Sequence, residues 1–148
     1  MTSEEKQLLL KDLCERLPYG IKFSFGCFNN NYEAKGVDLI VTDDGEWEYV
    51  VTAKGIIPVE IKYIRYYLRP LSSMTDEEIK ELNDIEPSAI VYGFSSEIIR
   101  IVDDTNGLGI KLAQTVRVID WLNAHYFDYR GLIDMGLALE APEDMYKL

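Results

Sequence analysis

The sequence predicts a single α+β domain over residues 1–148, in which an antiparallel β-meander curls toward a small SH3-like barrel. Apolar and polar residues alternate between about 20 and 64, a pattern typical of half-buried strands. An N-terminal helix precedes this region, a central helix follows it, and helical spacing returns between about 113 and 136 as a C-terminal helix pair. With 148 residues, 47% of them hydrophobic, the chain can bury one core.

The first helix is predicted to run from Thr2, its N-cap, to about Arg16. Thr2 and Glu5 have the spacing of a capping box, and Pro18 cannot continue a helix. The predicted core-facing stripe consists of Leu10, Leu13, Cys14 and Leu17. The predicted solvent face consists of Lys6, Lys11, Asp12 and Glu15. This pattern indicates a helix that packs on one side only.

Four strands with alternating polarity follow the first helix. Their inward-facing residues lie within 21–27, 37–41, 47–51 and 57–63. Between the second and third strands, Asp43-Asp44-Gly45 is typical of a tight hairpin turn. Pro58 cannot donate a ladder hydrogen bond, so the fourth strand is predicted to lie at a sheet edge. Four successive antiparallel strands form a meander that can curl into a small barrel.

The segment after the meander, 66–71, is predicted to be an extended connection that leaves the sheet. A central helix follows, because Thr75 and Glu78 form a second capping box and Pro87 ends the helical pattern. The remaining central elements are two strands at 89–92 and 98–102 and a polar turn at 103–109.

The C-terminal helix pair is centred on a corner rich in aromatic and polar residues. Its longer helix is predicted from about Ala113 to Phe127. Asp128 is placed to cap a short second helix, which Gly136 would end in the left-handed conformation.

The charge balance limits the classes of partner. The chain has 26 acidic and 15 basic residues, a formal net charge of −11. Nonspecific nucleic-acid binding needs Lys and Arg to neutralise phosphates, so this balance disfavours it. The charge suits a basic protein partner, although solubility alone also accounts for it. No apolar run reaches the roughly 20 residues that span a membrane, and the N-terminus lacks a signal-peptide pattern, so we expect a cytoplasmic protein.

No cofactor, metal site or catalytic residue is predicted. Cys14 and Cys27 lack the spacing of a metal site. His125 is the only histidine, and no serine or cysteine lies in a nucleophile-elbow context. An enzyme that uses His125 is therefore kept as the second alternative function.

The corner supplies the candidate binding residues, which are Trp121, His125, Asp128, Tyr129 and Arg130. Tyrosine and arginine are enriched at binding hot spots. In the competing structural interpretation, His125 bonds to backbone and Asp128 caps a helix. Tyr129 then packs, and Arg130 pairs with an acid such as Asp134, four residues later on the same helix face.

A second surface of interest lies after the fourth strand. Tyr63, Tyr66 and Tyr67 are interleaved with Arg65 and Arg69. Aromatic and arginine side chains at a sheet edge can bind single-stranded nucleic acid. The first alternative function is therefore nucleic-acid association through the patch Tyr63–Arg69, which the acidic charge of the chain opposes.

Three segments also carry a resemblance. They are LKDLCERLPYG at 10–20, YLRPLSSMT at 67–75, and 120–142, which begins DWLNAHYFDYRG. In this order they resemble a family of short uncharacterised proteins encoded in gut bacterial genomes, often within prophages or mobile elements. The family has no established activity, so no functional residue is carried over. The resemblance implies a phage-associated setting, and the leading prediction is a non-enzymatic, acidic accessory protein that binds another protein, such as one with a basic surface.

Overall fold

The structure is a computed structural model, and it describes residues 1–26, 31–85, 89–92, 98–101 and 108–147. The described helices are α1 Ser3–Arg16, α2 Asp76–Ile85 and α3 Leu108–Ala124. The described strands are β1 Lys22–Phe25, β2 Tyr32–Val41, β3 Trp47–Ala53, β4 Val59–Glu60, β5 Ile64–Leu68, β6 Ala89–Tyr92, β7 Ile98–Ile101 and β8 Ala138–Glu140. The predicted α+β class is confirmed.

Six strands form one mixed sheet in the order β4-β3-β2-β1-β5-β8. The meander predicted from β1 to β4 is confirmed, because each strand pairs antiparallel with the next. β5 returns beside β1, and β8 pairs with β5 in parallel. Among the described strands β4 and β8 are the edges, so the sheet is open and not closed into a barrel. β6 and β7 form a separate antiparallel pair at the predicted positions.

Both predicted capping boxes are present. The Thr2 hydroxyl accepts from the Glu5 amide at 3.1 Å, and the Glu5 carboxylate accepts from the Thr2 amide at 2.6 Å. The same reciprocal pair joins Thr75 and Glu78, at 3.2 and 2.9 Å. Because these contacts satisfy amides that a helix leaves without partners, they fix where α1 and α2 begin.

The core forms where α1 packs on the sheet. Leu9 and Leu13 are fully buried against Phe23, Val51 and Ile61. A second apolar cluster joins α2 to α3 and consists of Leu71, Met74, Leu82, Val118, Leu122 and Phe127. Burial of such side chains contributes roughly 1.5–3 kcal/mol each. No helix in the described part of the chain is long and apolar enough to cross a membrane.

Two strand predictions need correction. The fourth strand is only Val59–Glu60, and Ile61–Tyr63 forms a 3-10 turn instead of continuing it. β4 is nevertheless an edge strand, as predicted. The segment predicted to leave the sheet begins inside β5, which lies between β1 and β8. The two residues of β4 pair with β3, and among the described strands β4 has no second neighbour that would close the sheet.

The predicted second helix of the C-terminal pair is wrong. The segment after α3 forms hydrogen-bonded turns, with bonds from the Met135 amide to the Gly131 carbonyl and from the Leu137 amide to the Leu132 carbonyl. Gly131 has a φ of +72°, which takes the backbone out of the right-handed helical path. β8 follows these turns, and no strand was predicted there.

The faces of α1 also differ from the prediction. Cys14 is exposed, whereas Asp12, assigned to the solvent face, is fully buried. The prediction for Cys27 and most of the predicted turn at 103–109 lie outside the described residues.

Candidate functional site

The corner after α3 is held by flat side chains packed on one another. The Trp121 and His125 rings lie 3.9 Å apart between centroids and 23° from parallel. The Phe127 ring lies 5.8 Å from Trp121, and the Arg69 guanidinium lies 4.3 Å from the Phe127 centroid. A cation over an aromatic face is attracted by the ring quadrupole. Trp121 and His125 are therefore packed together, as part of the join between α3 and β5.

His125 makes the predicted bond to backbone. Its Nδ1 donates to the Trp121 carbonyl oxygen at 2.8 Å, since a carbonyl can only accept. Its Nε2 lies 3.9 Å from the Glu81 carboxylate on α2. At that separation the two atoms are too far apart for a hydrogen bond.

Asp128 caps the turn that replaces the predicted helix. One carboxylate oxygen accepts from the Leu132 amide at 2.9 Å, and the other accepts from the Ile133 amide at 2.8 Å. The side chain is buried, so both bonds are shielded from water. Gly136 has a φ of +69°, which confirms its predicted left-handed conformation.

Tyr129 and Arg130 face α1. The Tyr129 hydroxyl donates to the Glu15 carboxylate at 3.1 Å, and Arg130 Nη2 donates to the same oxygen. Arg130 Nε lies 2.9 Å from an Asp12 oxygen. Arg130 thus pairs with acids on α1, and the predicted pairing with Asp134 is wrong. Arg130 and Asp134 do not share a helix face, because Gly131 between them is left-handed and interrupts the helical path.

Sequence reasoning missed a buried polar network beneath these residues. Arg16 donates to both Asp12 oxygens, at 2.7 and 3.1 Å, and to the Phe127 carbonyl oxygen at 2.9 Å. The Tyr66 hydroxyl donates to Asp12 at 2.8 Å. Burial and then the Asp12 charge raise the pKa of Tyr66 well above its ordinary value. The only sequence signal was the four-residue spacing of Asp12 and Arg16 on a helix.

The patch Tyr63–Arg69 does not form a continuous aromatic surface. Tyr66 and Tyr67 are buried, and Tyr63 remains exposed. Arg65 donates to the Gly136 carbonyl, and Arg69 makes two bonds to the Glu78 carboxylate. Both arginines are thereby engaged with other parts of the chain, and the arrangement expected for nucleic-acid binding is not assembled.

A different apolar surface is present at the end of the β2–β3 hairpin. Val41 lies directly opposite Trp47, and Leu39 lies opposite Tyr49. Side chains at directly opposed and alternate positions share a face, so these four lie together. Leu39, Val41 and Trp47 are 49, 53 and 64% exposed. We call these three residues the hairpin patch.

An apolar groove of about 620 Å³ lies on the other side of the hairpin. Ile40, which alternates with Leu39 and Val41, lines it together with Phe25, Ile57 and Pro58. Ile57 and Tyr63, another lining residue, are mostly exposed. Uncovered apolar surface therefore continues around this end of the sheet.

The described residues contain no group of three or more His, Cys, Asp or Glu side chains that could hold a metal ion. Comparison of the chain with protein-family models, curated proteins and solved structures gave no match in any of the three.

Proposed function

We propose that the chain is an accessory protein that binds another protein through the hairpin patch. The supporting observation is that one face of the β2–β3 hairpin is covered by α1 at one end and exposed to solvent at the other. Val37 and Val51 oppose each other on this face and pack in the core beneath α1. Trp47 and Val41, further along the same face, are more than half exposed.

This arrangement favours a partner over chance exposure. Single exposed apolar residues are common, but grouped ones with polar borders mark interaction sites. Trp47 also belongs to a residue type that is enriched in binding hot spots. Since a sheet face is stable when another layer covers it, the partner would supply the layer that α1 does not reach.

The connection between β4 and β5 is the basis of a further proposal about the fold. A three-residue 3-10 turn, Ile61–Tyr63, leads from the edge strand β4 directly to β5 beside β1. We propose that β1 to β5 form an SH3-like arrangement whose groove contributes to binding. The predicted prophage or mobile-element setting would make a host or phage protein the partner.

The test is affinity capture from a nuclease-treated bacterial lysate, followed by mass spectrometry. We expect a stoichiometric protein that is lost with the triple variant Leu39→Ser, Val41→Thr, Trp47→Ser. The control variant Val116→Ser removes an equally exposed apolar residue of α3 and should retain the partner. Urea unfolding of both variants checks that each remains folded.

A partner that the triple variant retains would exclude the hairpin patch. A partner lost on nuclease treatment would instead favour nucleic-acid association.

A further inference from the structure

Building on the proposed binding role of the hairpin patch, we infer the chemistry of its partner: a cationic protein segment with apolar anchors. The anchors cover Leu39, Val41 and Trp47, while Lys or Arg side chains contact the carboxylates of the adjoining turn. The inference depends on the distribution of charge, which is independent of the apolar exposure that supports the binding role.

Negative charge is concentrated on the hairpin. Residues 38–48 read DLIVTDDGEWE, with five acids and no Lys or Arg. Eleven residues thus hold a formal charge of −5, against −11 for all 148. Asp43, Asp44 and Glu46 lie at the turn that joins β2 to β3, beside the patch, whereas Asp38 and Glu48 alternate with Leu39 and Trp47 and lie on the opposite face of the hairpin.

Most of these carboxylates are solvent-facing. All except Glu48 are exposed, and Glu48 pairs with Lys6 of α1. This contact also brings the acidic first turn of α1, which contains Glu4 and Glu5, toward the hairpin. A hydrogen bond from Thr42 lowers the pKa of Asp44, which favours its charged form.

These charges restrict what can cover the patch. An entirely apolar partner would take water from carboxylates without replacing its hydrogen bonds, which is costly. An acidic protein or a nucleic acid carries charge of the same sign as these carboxylates and would be repelled by them. A Lys- or Arg-bearing segment both covers the apolar side chains and supplies donors to the carboxylates.

The test uses three synthetic peptides of equal length and the full chain. The first alternates Leu and Phe with Lys and Arg, the second replaces its cations with Glu, and the third keeps the cations but replaces Leu and Phe with Ser. Binding is measured by NMR, using the indole signal of Trp47 as the reporter. We expect saturable perturbation of Trp47 by the first peptide alone, and weakening as salt is raised.

A variant that neutralises acidic residues of the hairpin turn tests whether these carboxylates bind the peptide. Asp43→Asn, Asp44→Asn, Glu46→Gln should weaken binding of the first peptide about tenfold, since exposed ion pairs contribute modestly. The control Asp134→Asn, Glu140→Gln, Glu143→Gln makes the same change in net charge at exposed sites elsewhere and should leave the affinity unchanged.

The outcomes separate the two proposals. If the Glu peptide binds Trp47 as tightly, or if the two charge variants behave alike, the cationic partner is excluded while the binding role stands. If none of the peptides perturbs Trp47, the inference is overturned, and the binding role is judged by the capture experiment. Saturable perturbation of Trp47 by single-stranded DNA in the absence of peptide would also overturn it.

Discussion

At the scale of single residues, the buried pair of Asp12 and Arg16 determines how α1 joins the rest of the chain. Both side chains are fully buried, and the pair is satisfied from outside the helix by Tyr66 and by the Phe127 carbonyl. Arg16 Nη1 has no hydrogen-bond partner among the described residues. A buried pair of this kind adds little net stability over an apolar pair, but removing one partner leaves an uncompensated charge.

The single substitution Asp12→Leu should therefore destabilise the chain by about 3–5 kcal/mol, and Arg16→Met should cost less, because Asp12 then keeps its contact with Arg130. The double variant should cost less than the sum, because Asp12 and Arg16 no longer leave each other unpaired and Arg130 keeps its contact with Glu15. Urea unfolding of the four proteins measures the coupling.

Glu33→Gln supplies the control, since Glu33 pairs with Lys35 at the surface and the change should stay within roughly 1 kcal/mol. Additive effects of the two buried substitutions would show that the pair does not act as a unit.

The position of Asp12 could not be predicted from the sequence, and the reason is physical. Its hydrogen-bond partner Tyr66 lies 54 residues away, and its contact with Arg130 depends on a turn that local patterns misidentified. In a helical pattern, aspartate is assigned to the solvent face because burial of a lone carboxylate is costly. Only the assembled fold reveals that this carboxylate is not alone.

At the scale of elements, prediction succeeded where the determinants are local. Thr2 and Thr75 start their helices through contacts three residues away, so both starts are readable from the sequence. β5 was missed because consecutive residues Tyr66 and Tyr67 are both buried, and a strand covered on both faces does not alternate. The hairpin turn was predicted, but exposure of Trp47 was not, because the reach of α1 over the sheet is a tertiary property.

The ion pair between Glu78 of α2 and Arg69, the residue that follows β5, gives a prediction at the scale of elements. Burial acts to raise the pKa of Glu78, but hydrogen bonds from Arg69 and from the Thr75 backbone outweigh it, so the pKa is lowered on folding. A lowered folded-state pKa contributes stability that is present above the unfolded pKa and lost as pH falls through the folded value. Glu78→Gln should therefore unfold more easily at neutral pH and lose less stability on acidification.

The measurement is the free energy of unfolding in urea across the acidic range. Glu77→Gln is the matched control, because Glu77 is an exposed neighbour in the same helical turn. A Glu78→Gln curve parallel to that of the parent protein would show that the pair with Arg69 does not respond to pH.

At the scale of the whole molecule, the C-terminal segment ties distant parts of the chain together. The Tyr146 hydroxyl accepts from the Lys22 amide and donates to the Tyr67 carbonyl, both at 3.0 Å. Its ring stacks on Tyr126 at 3.6 Å between centroids. One side chain therefore joins β1, β5 and the corner after α3, while β8 adds a parallel strand just before it. Such contacts convert local elements into one cooperative structure.

Two substitutions at Tyr146 separate its hydroxyl from its ring. Tyr146→Phe should destabilise by about 1–2 kcal/mol, since it leaves a backbone amide and a carbonyl without their partner. Tyr146→Ala should cost roughly 2–4 kcal/mol, because the partly buried ring is lost as well. Native-state hydrogen exchange should also show faster exchange at the Lys22 amide in both variants. The exposed Lys147→Ala is the control, and unchanged Lys22 exchange in Tyr146→Phe would mean that Tyr146 acts through its ring and not through its hydroxyl.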